Sequence, residues 1–192
     1  MAKDDVDRGA PRTPWRNPVL RFEGSTRASA ETVYGLLADL QSHLEWAGRR
    51  QSETTRLLTM EAPPGPAGVG TEFFSTGTDG KVARWSDRSV VTEATRPAVF
   101  EFVTDGLRRG KPGSRPWRAT AVHRYEIVPA GEGCRVTYTE DLTRLTGAPR
   151  ILFSAPMSRI VFLIAARYMR RGFDNLLALA EERAGEPAEG RV

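Results

Sequence analysis

Cysteine, histidine and lysine are scarce in this chain, and each scarcity removes a class of function. Of 192 residues, one is a cysteine, Cys134, and two are histidines, His43 and His123. A lone cysteine forms no intrachain disulfide, which fits a reducing compartment. Two histidines far apart and one cysteine make no zinc-ligand spacing, so no metal is expected, nor any organic cofactor. Lysine occurs only at 3, 81 and 111, so the formal charge of +4 is carried by arginine. No concentrated basic stripe or nucleic-acid module accompanies that charge, and nucleic acid is not an expected partner. The most apolar run, IVFLIAA at 160–166, is too short to span a bilayer and is flanked by Arg159 and Arg167. The N-terminus, MAKDDVDRGAPRTPWRNP, lacks the apolar core of a secretory signal, and a cytoplasmic location is expected. Internal repeats, a phosphate-binding glycine loop and a Ser–His–Asp order are also missing.

What remains is an ordinary globular composition, 40% hydrophobic and 27% charged, in a chain long enough for one domain with tails. Residues 1–17 are polar and charged and are expected to be disordered. A single domain is expected over 18–184, followed by a flexible tail at 185–192. VLRFEGSTR reads as a first strand. SAETVYGLLADL reads as a helix, with Ser29 as N-cap and Val33, Leu36, Leu37 and Leu40 on one face. QSHLEWAG reads as a second, short helix in which His43 is expected to be solvated.

From there the chain alternates like a sheet. ETTRLLTME, TEFFSTG, KVARWSDRSVVTEA and VFEFVT read as strands, with TDG as a hairpin signal. DGLRRGKPGSRP is expected to be a long polar loop. AVHRYEIVPAGEGCRVTYTE reads as two strands around a Gly-rich turn, ending near Leu142, with TRLTGAPR as a loop. The period then becomes helical from about Ile151 to Ala184. Arg159, Arg167, Arg170, Asp174 and Glu181 fall on one side. Met157, Ile160, Val161, Ile164, Tyr168, Phe173, Leu176 and Ala180 fall on the other. An antiparallel sheet with one apolar face needs a cover, and the long last helix is the element that can supply it. The expected gap between sheet and helix is a place for a ligand.

Two ionisable residues stand among the inward positions of the last hairpin. Trp117, Ala119, Ala121, His123, Tyr125 and Ile127 alternate onto one face, and Cys134, Val136, Tyr138 and Glu140 onto one face of the next strand. Simple pairing of Val128 with Cys134 would set these faces against each other, so a bulge is expected near the turn. With it, His123 lies opposite Tyr138 or Glu140 and diagonal to the other. Three readings stay open for the pair. It is a satisfied structural pair, or it recognises a ligand's carbonyl or hydroxyl, or it moves protons. His123 and Glu140 are the candidate catalytic residues. Phe73, Trp85, Phe102, Trp117, Tyr125, Tyr138, Met157, Val161 and Tyr168 are candidate pocket walls, and plain core packing accounts for them equally well.

Taken together, RASAETVYGLLADLQSHLEW, GVGTEF, WSDRSVVTEATRPAVFEF and HRYEIVPAGEGCRVTYTEDL resemble the SRPBCC superfamily, the START, Bet v 1 and polyketide cyclase group. The resemblance covers roughly residues 18–184. It implies a helix-grip α+β fold: a curved antiparallel sheet wrapped around a long C-terminal helix, with two short helices closing one end. It also implies an apolar pocket for a polyketide or lipid, and Trp46 matches the family's closing tryptophan. Family members include cyclases, aromatases and dehydratases as well as non-catalytic carriers or sensors, so both an enzyme and a carrier are implied. Cys134 stands where a threonine is common, and the apolar segment between Leu142 and Met157 is long. The loop RRGKPGSRPWR and the arginine face of the last helix are either solvated surface or a docking surface for an acidic partner such as an acyl carrier protein. The last helix, apolar on one side and arginine-rich on the other, also has the pattern of an interfacial membrane helix.

Overall fold

A computed structural model describes residues 19–148 and 155–185, and of 155–158 the backbone alone. The expectations for the two tails and for the Met157 side chain lie outside the described residues. Seven antiparallel strands form one sheet in the order β1-β7-β6-β5-β4-β3-β2. They are β1 (Val19–Thr26), β2 (Arg56–Glu61), β3 (Glu72–Asp79), β4 (Ala83–Thr95), β5 (Val99–Arg109), β6 (Trp117–Ala130) and β7 (Gly133–Thr146). Between β1 and β2 stand helix α1 (Ala30–Ala38), a 3₁₀ turn (Leu40–Ser42) and a π-helical segment (Leu44–Arg49). Helix α2 (Ala155–Gly185) ends the described chain. This is the helix-grip α+β architecture that the family resemblance implies.

Local chemistry sets the element boundaries. The Ser29 hydroxyl accepts from the Thr32 amide and caps α1, whose Val33, Leu36 and Leu37 are buried. The meander joining β2 to β7 is consecutive, and β1 closes the far edge against β7. Gly77 seats the Trp85 indole, since a Cβ there would fall 2.1 Å from the ring. On the convex face, Arg124 reaches Glu93, Glu101 and Glu126 and ties β4, β5 and β6 together.

Two strands run longer than the sequence suggests. β5 continues through DGLRR to Arg109, so the loop that follows is shortened to 110–116. β7 continues to Thr146 rather than stopping near Leu142. The expected bulge exists, but at the other end of the hairpin: Thr120 pairs with Arg144 and Ala121 with Leu142. The hairpin turn holds two residues, with Ala130 opposite Gly133, and this brings Ile127 opposite Val136 without any slip. The bulge at Thr143 keeps Leu145, opposite Ala119, on the concave face with Leu142.

Helix α2 runs parallel to β1 and packs on β1, α1 and the π-helical segment. Its C-terminal half is the anchored half. Gly24 lets it approach, with a virtual Cβ 2.6 Å from Leu177 and 3.0 Å from Phe173. Phe173, Leu176, Leu179 and Ala180 are buried, and Asn175 donates to the carbonyls of Trp46 and Arg50. The N-terminal half departs from expectation. Ile160, Val161 and Ile164 are exposed, as is Leu163, so the apolar side read from the sequence is not fully buried against the sheet.

Candidate functional site

The concave face of β4 to β7 carries a band of polar side chains among aromatic rings. Strand register places His123 on β6 directly opposite Glu140 on β7 and Phe102 on β5. Tyr125 lies opposite Tyr138, one step along. The His123 ring stacks on Phe102 with centroids 4.7 Å apart, and Phe102 in turn meets Phe73 at 5.5 Å. Tyr138 meets Tyr125 at 4.7 Å and Phe22 at 6.0 Å. Phe22 and Tyr138 both touch Phe173 of α2, so the floor beneath the anchored half of the helix is packed with rings.

Three of these side chains form one hydrogen-bonded chain. Tyr138 Oη donates to Glu140 Oε2 at 3.1 Å and lies 2.8 Å from His123 Nδ1. A phenol has one proton, and it is committed to Glu140. Nδ1 must therefore carry the hydrogen and donate to the phenol oxygen, which leaves Nε2 with a free lone pair. Nε2 has no hydrogen-bond partner among the described residues. Burial pushes the imidazole's pKa below its ordinary value and the Arg108 cation acts the same way, while Glu140 and Asp87 oppose them. Burial and the Glu140 carboxylate push Tyr138 and Tyr125 well up, so both stay protonated donors. At neutral pH the chain is a neutral imidazole with a free Nε2 lone pair, oriented through a phenol by a carboxyl group.

A second pair lies further along the same face. Arg108 Nη1 donates to Asp87 Oδ1, and Nη2 lies 3.4 Å from Oδ2. The Arg108 guanidinium also covers the Trp85 ring at 5.4 Å. Gly106 makes room for the pair, because a Cβ there would fall 2.5 Å from Asp87 and 2.6 Å from Arg108. Both groups lie near enough for their charges to act on His123. Sequence reasoning placed Arg108 in a loop. The usable signal was the alternation Phe100, Phe102, Thr104, Gly106, Arg108, hidden by the polar, Gly-containing stretch.

The other sequence candidates divide. Trp85, Phe73, Phe102, Trp117, Tyr125 and Tyr138 share the concave face with His123 and Glu140. Tyr168 on α2 is half-buried, and burial together with Asp79, Asp87 and Glu140 raises its hydroxyl's pKa against the opposing effect of Arg108. Trp46 stands apart in the π-helical segment, tilted against His43 at 4.7 Å. Val161 is 40% exposed. His43 is not solvated: it is 4% exposed and its Nε2 bonds the Leu37 carbonyl at 2.9 Å.

His123, Glu140, Trp85, Asp87, Arg108, Trp117, Ala119 and Leu142 are all half-buried, so this part of the concave face is partly exposed to solvent. Two surface recesses of about 500 Å³ lie elsewhere, one by Asp39–Gln41 and Ala62–Pro66 and one between the β3–β4 and β5–β6 loops. Among the described residues, no group of His, Cys, Asp and Glu is placed to hold a metal ion.

Comparison with known proteins gives the fold a context. Residues 20–181 match a family model described as polyketide cyclase/dehydrase and lipid transport. A conserved protein from Geobacillus kaustophilus superposes with a TM-score of 0.63 at 14% identity, over 86% of this chain and 96% of that one. Protein Ms6760 from Mycobacterium smegmatis superposes at 0.56 with 13% identity, over 86% and 92%. Protein CV1439 from Chromobacterium violaceum superposes at 0.55 with 13% identity, over 86% and 98%. At such identities the likeness is one of fold. No curated protein matches the chain by sequence.

Proposed function

Because the chain belongs to the polyketide cyclase/dehydrase and lipid transport family, we propose that it binds an apolar small molecule bearing an oxygen function in the half-open trough between the sheet and α2, and moves a proton on it. The carrying observation is the Glu140–Tyr138–His123 chain, which leaves Nε2 of a neutral imidazole unengaged beside the aromatic rings of the concave face. In a polyketide-like substrate, Nε2 takes a proton from the carbon next to a carbonyl. The electron pair moves into the carbonyl as an enolate, ready for ring closure or loss of water. The new imidazolium is stabilised through the phenol by Glu140, and the Arg108 cation favours negative charge on the ligand oxygen. Trp85, Phe102 and Trp117 supply apolar walls that restrict the ligand's conformers.

The test begins with protein purified gently, denatured, and its extract analysed by mass spectrometry for a stoichiometric apolar compound. The recovered compound, or a close analogue, is then offered to the wild type and to His123→Gln, Tyr138→Phe and Glu140→Gln. An at least tenfold loss of turnover in His123→Gln, with binding held within a few-fold, supports proton transfer. A compound released unreacted, with affinity lowered by the same variants, supports a carrier and removes the catalytic step. Affinity and turnover untouched by all three variants remove the site altogether.

A further inference from the structure

The first half of α2 is apolar on the side it turns to water. Ile160, Leu163 and Ile164 are 51, 67 and 61% exposed, and Val161 is exposed as well. The next residues outward on that side are arginines, Arg167 and Arg171, with Arg159 before them. No acidic residue occurs between Ala155 and Phe173. Arg170 pairs with Asp174 at 2.8 Å, whereas Arg159, Arg167 and Arg171 have no carboxylate partner among the described residues.

The direction of α2 fixes which end of the molecule this is. Glu181 accepts from the Arg27 amide and the Leu177 carbonyl meets Thr26, both at the C-terminal end of β1. Arg170 lies over Phe22, so the helix, followed toward its N-terminus, leads along β1 toward Val19. From Phe173 to Ile160 is a further 20 Å or so at about 1.5 Å per residue. This carries the apolar segment to the end of the sheet where β7 finishes at Thr146, β6 begins at Trp117 and the β3–β4 and β5–β6 loops emerge. Lys81, Arg84, Arg109, Lys111, Arg115, Arg118 and Arg144 cluster there, against Asp79 and Asp105, of which Asp105 pairs with Arg118. Val82, at the tip of the β3–β4 hairpin, is 47% exposed.

We propose that this end of the molecule docks on an anionic bilayer surface, with Ile160, Leu163 and Ile164 inserted among the lipids and the surrounding arginines and lysines against the headgroups. Apolar residues ringed by unpaired cations match the layering of a bilayer interface. A second copy of the chain fits less well. Two-fold packing through this helix face would bring Arg159, Arg167 and Arg171 against their own equivalents with no carboxylate to separate them. The apolar run is seven residues long, enough to lie in an interface and not to cross it.

The test is co-sedimentation of the full chain with vesicles of phosphatidylcholine, with and without phosphatidylglycerol. Binding to the anionic vesicles is expected, falling about tenfold or more between low and high salt as headgroup attraction is screened. Leu163→Ser/Ile164→Ser is expected to lose about tenfold or more, and Arg167→Gln/Arg171→Gln several-fold, with thermal unfolding unchanged. Three results overturn the proposal: no binding to anionic vesicles at low salt, binding indifferent to both double variants, or a wild-type dimer that Leu163→Ser/Ile164→Ser converts to monomer without any lipid binding.

Discussion

His43 is a residue whose environment reverses the expectation for its type. It sits in a short, polar-looking segment, yet burial against Trp46 lowers its pKa to about 4, and Nε2–H is committed to the Leu37 carbonyl. The unfolded chain takes up this proton below about pH 6.5, while the folded state refuses it until about pH 4. Between those values the unfolded state binds more protons, so stability is lost as pH falls. The loss is complete near pH 4 and is on the order of 3 kcal/mol. His123, also depressed, contributes in the same sense. The arginine-paired carboxylates Glu45, Glu72, Glu93 and Glu182 are held below their usual 4.5, so their share comes at lower pH. Denaturant unfolding between pH 6.5 and 4.5 therefore reads the histidines. His43→Gln, whose amide can still donate to Leu37, is expected to flatten most of that slope. A slope unchanged by the substitution would show that His43 is not the buried group described.

At the scale of elements, alternation made the sheet legible and also set where the reading failed. The faces of β6 and β7 follow from period two, and so does the nearness of His123, Tyr138 and Glu140. Arg108 was lost because polar residues and Gly106 conceal a strand whose inner face holds an ion pair, and composition resembles a loop wherever a trough is polar. The position of the bulge was also hidden, since a two-residue turn and a displaced bulge give the same facing of side chains. Glycines separate packing from freedom at this scale. A Cβ at Gly133 would lie 2.0 Å from the Thr26 carbonyl oxygen and 2.8 Å from Arg27 Cα, both backbone atoms at the end of the neighbouring strand β1. Gly133→Ala must force β7 away from the end of β1, and a loss of about 2 kcal/mol or more is expected in urea unfolding. Gly35, inside α1 with nothing within 4 Å of its virtual Cβ, behaves oppositely. Gly35→Ala is expected to add about 0.5–1 kcal/mol through helix propensity. Equal effects at the two sites would contradict the packing described between β1 and β7.

At the scale of the whole molecule, one helix serves two environments, and this is what a single apolar stripe in the sequence could not disclose. At 100° per residue Phe173, Leu176 and Ala180 fall together and Ile160 and Ile164 fall nearly opposite them, so reading all five as one side merges two faces of the helix. Burial also thins toward the start of the helix: no residue from Arg159 to Arg171 is buried, whereas Phe173, Leu176, Leu177, Leu179 and Ala180 are. Stability is therefore distributed unevenly along α2. Leu176→Ala opens a cavity between β1, α1 and α2, and about 2–5 kcal/mol is expected to be lost. Leu163→Ser changes only surface, and a change within about 0.5 kcal/mol is expected. Amide hydrogen exchange carries the same contrast to the backbone. Amides at 173–180 are expected to open only with global unfolding, and those at 160–167 through local fraying, orders of magnitude faster. Anionic vesicles should then slow exchange at 160–167 alone, because the docking face and the fraying half are the same residues. Uniform protection along α2 without vesicles would mean that the first half is covered in solution, and that the sheet, rather than a lipid surface, is its partner.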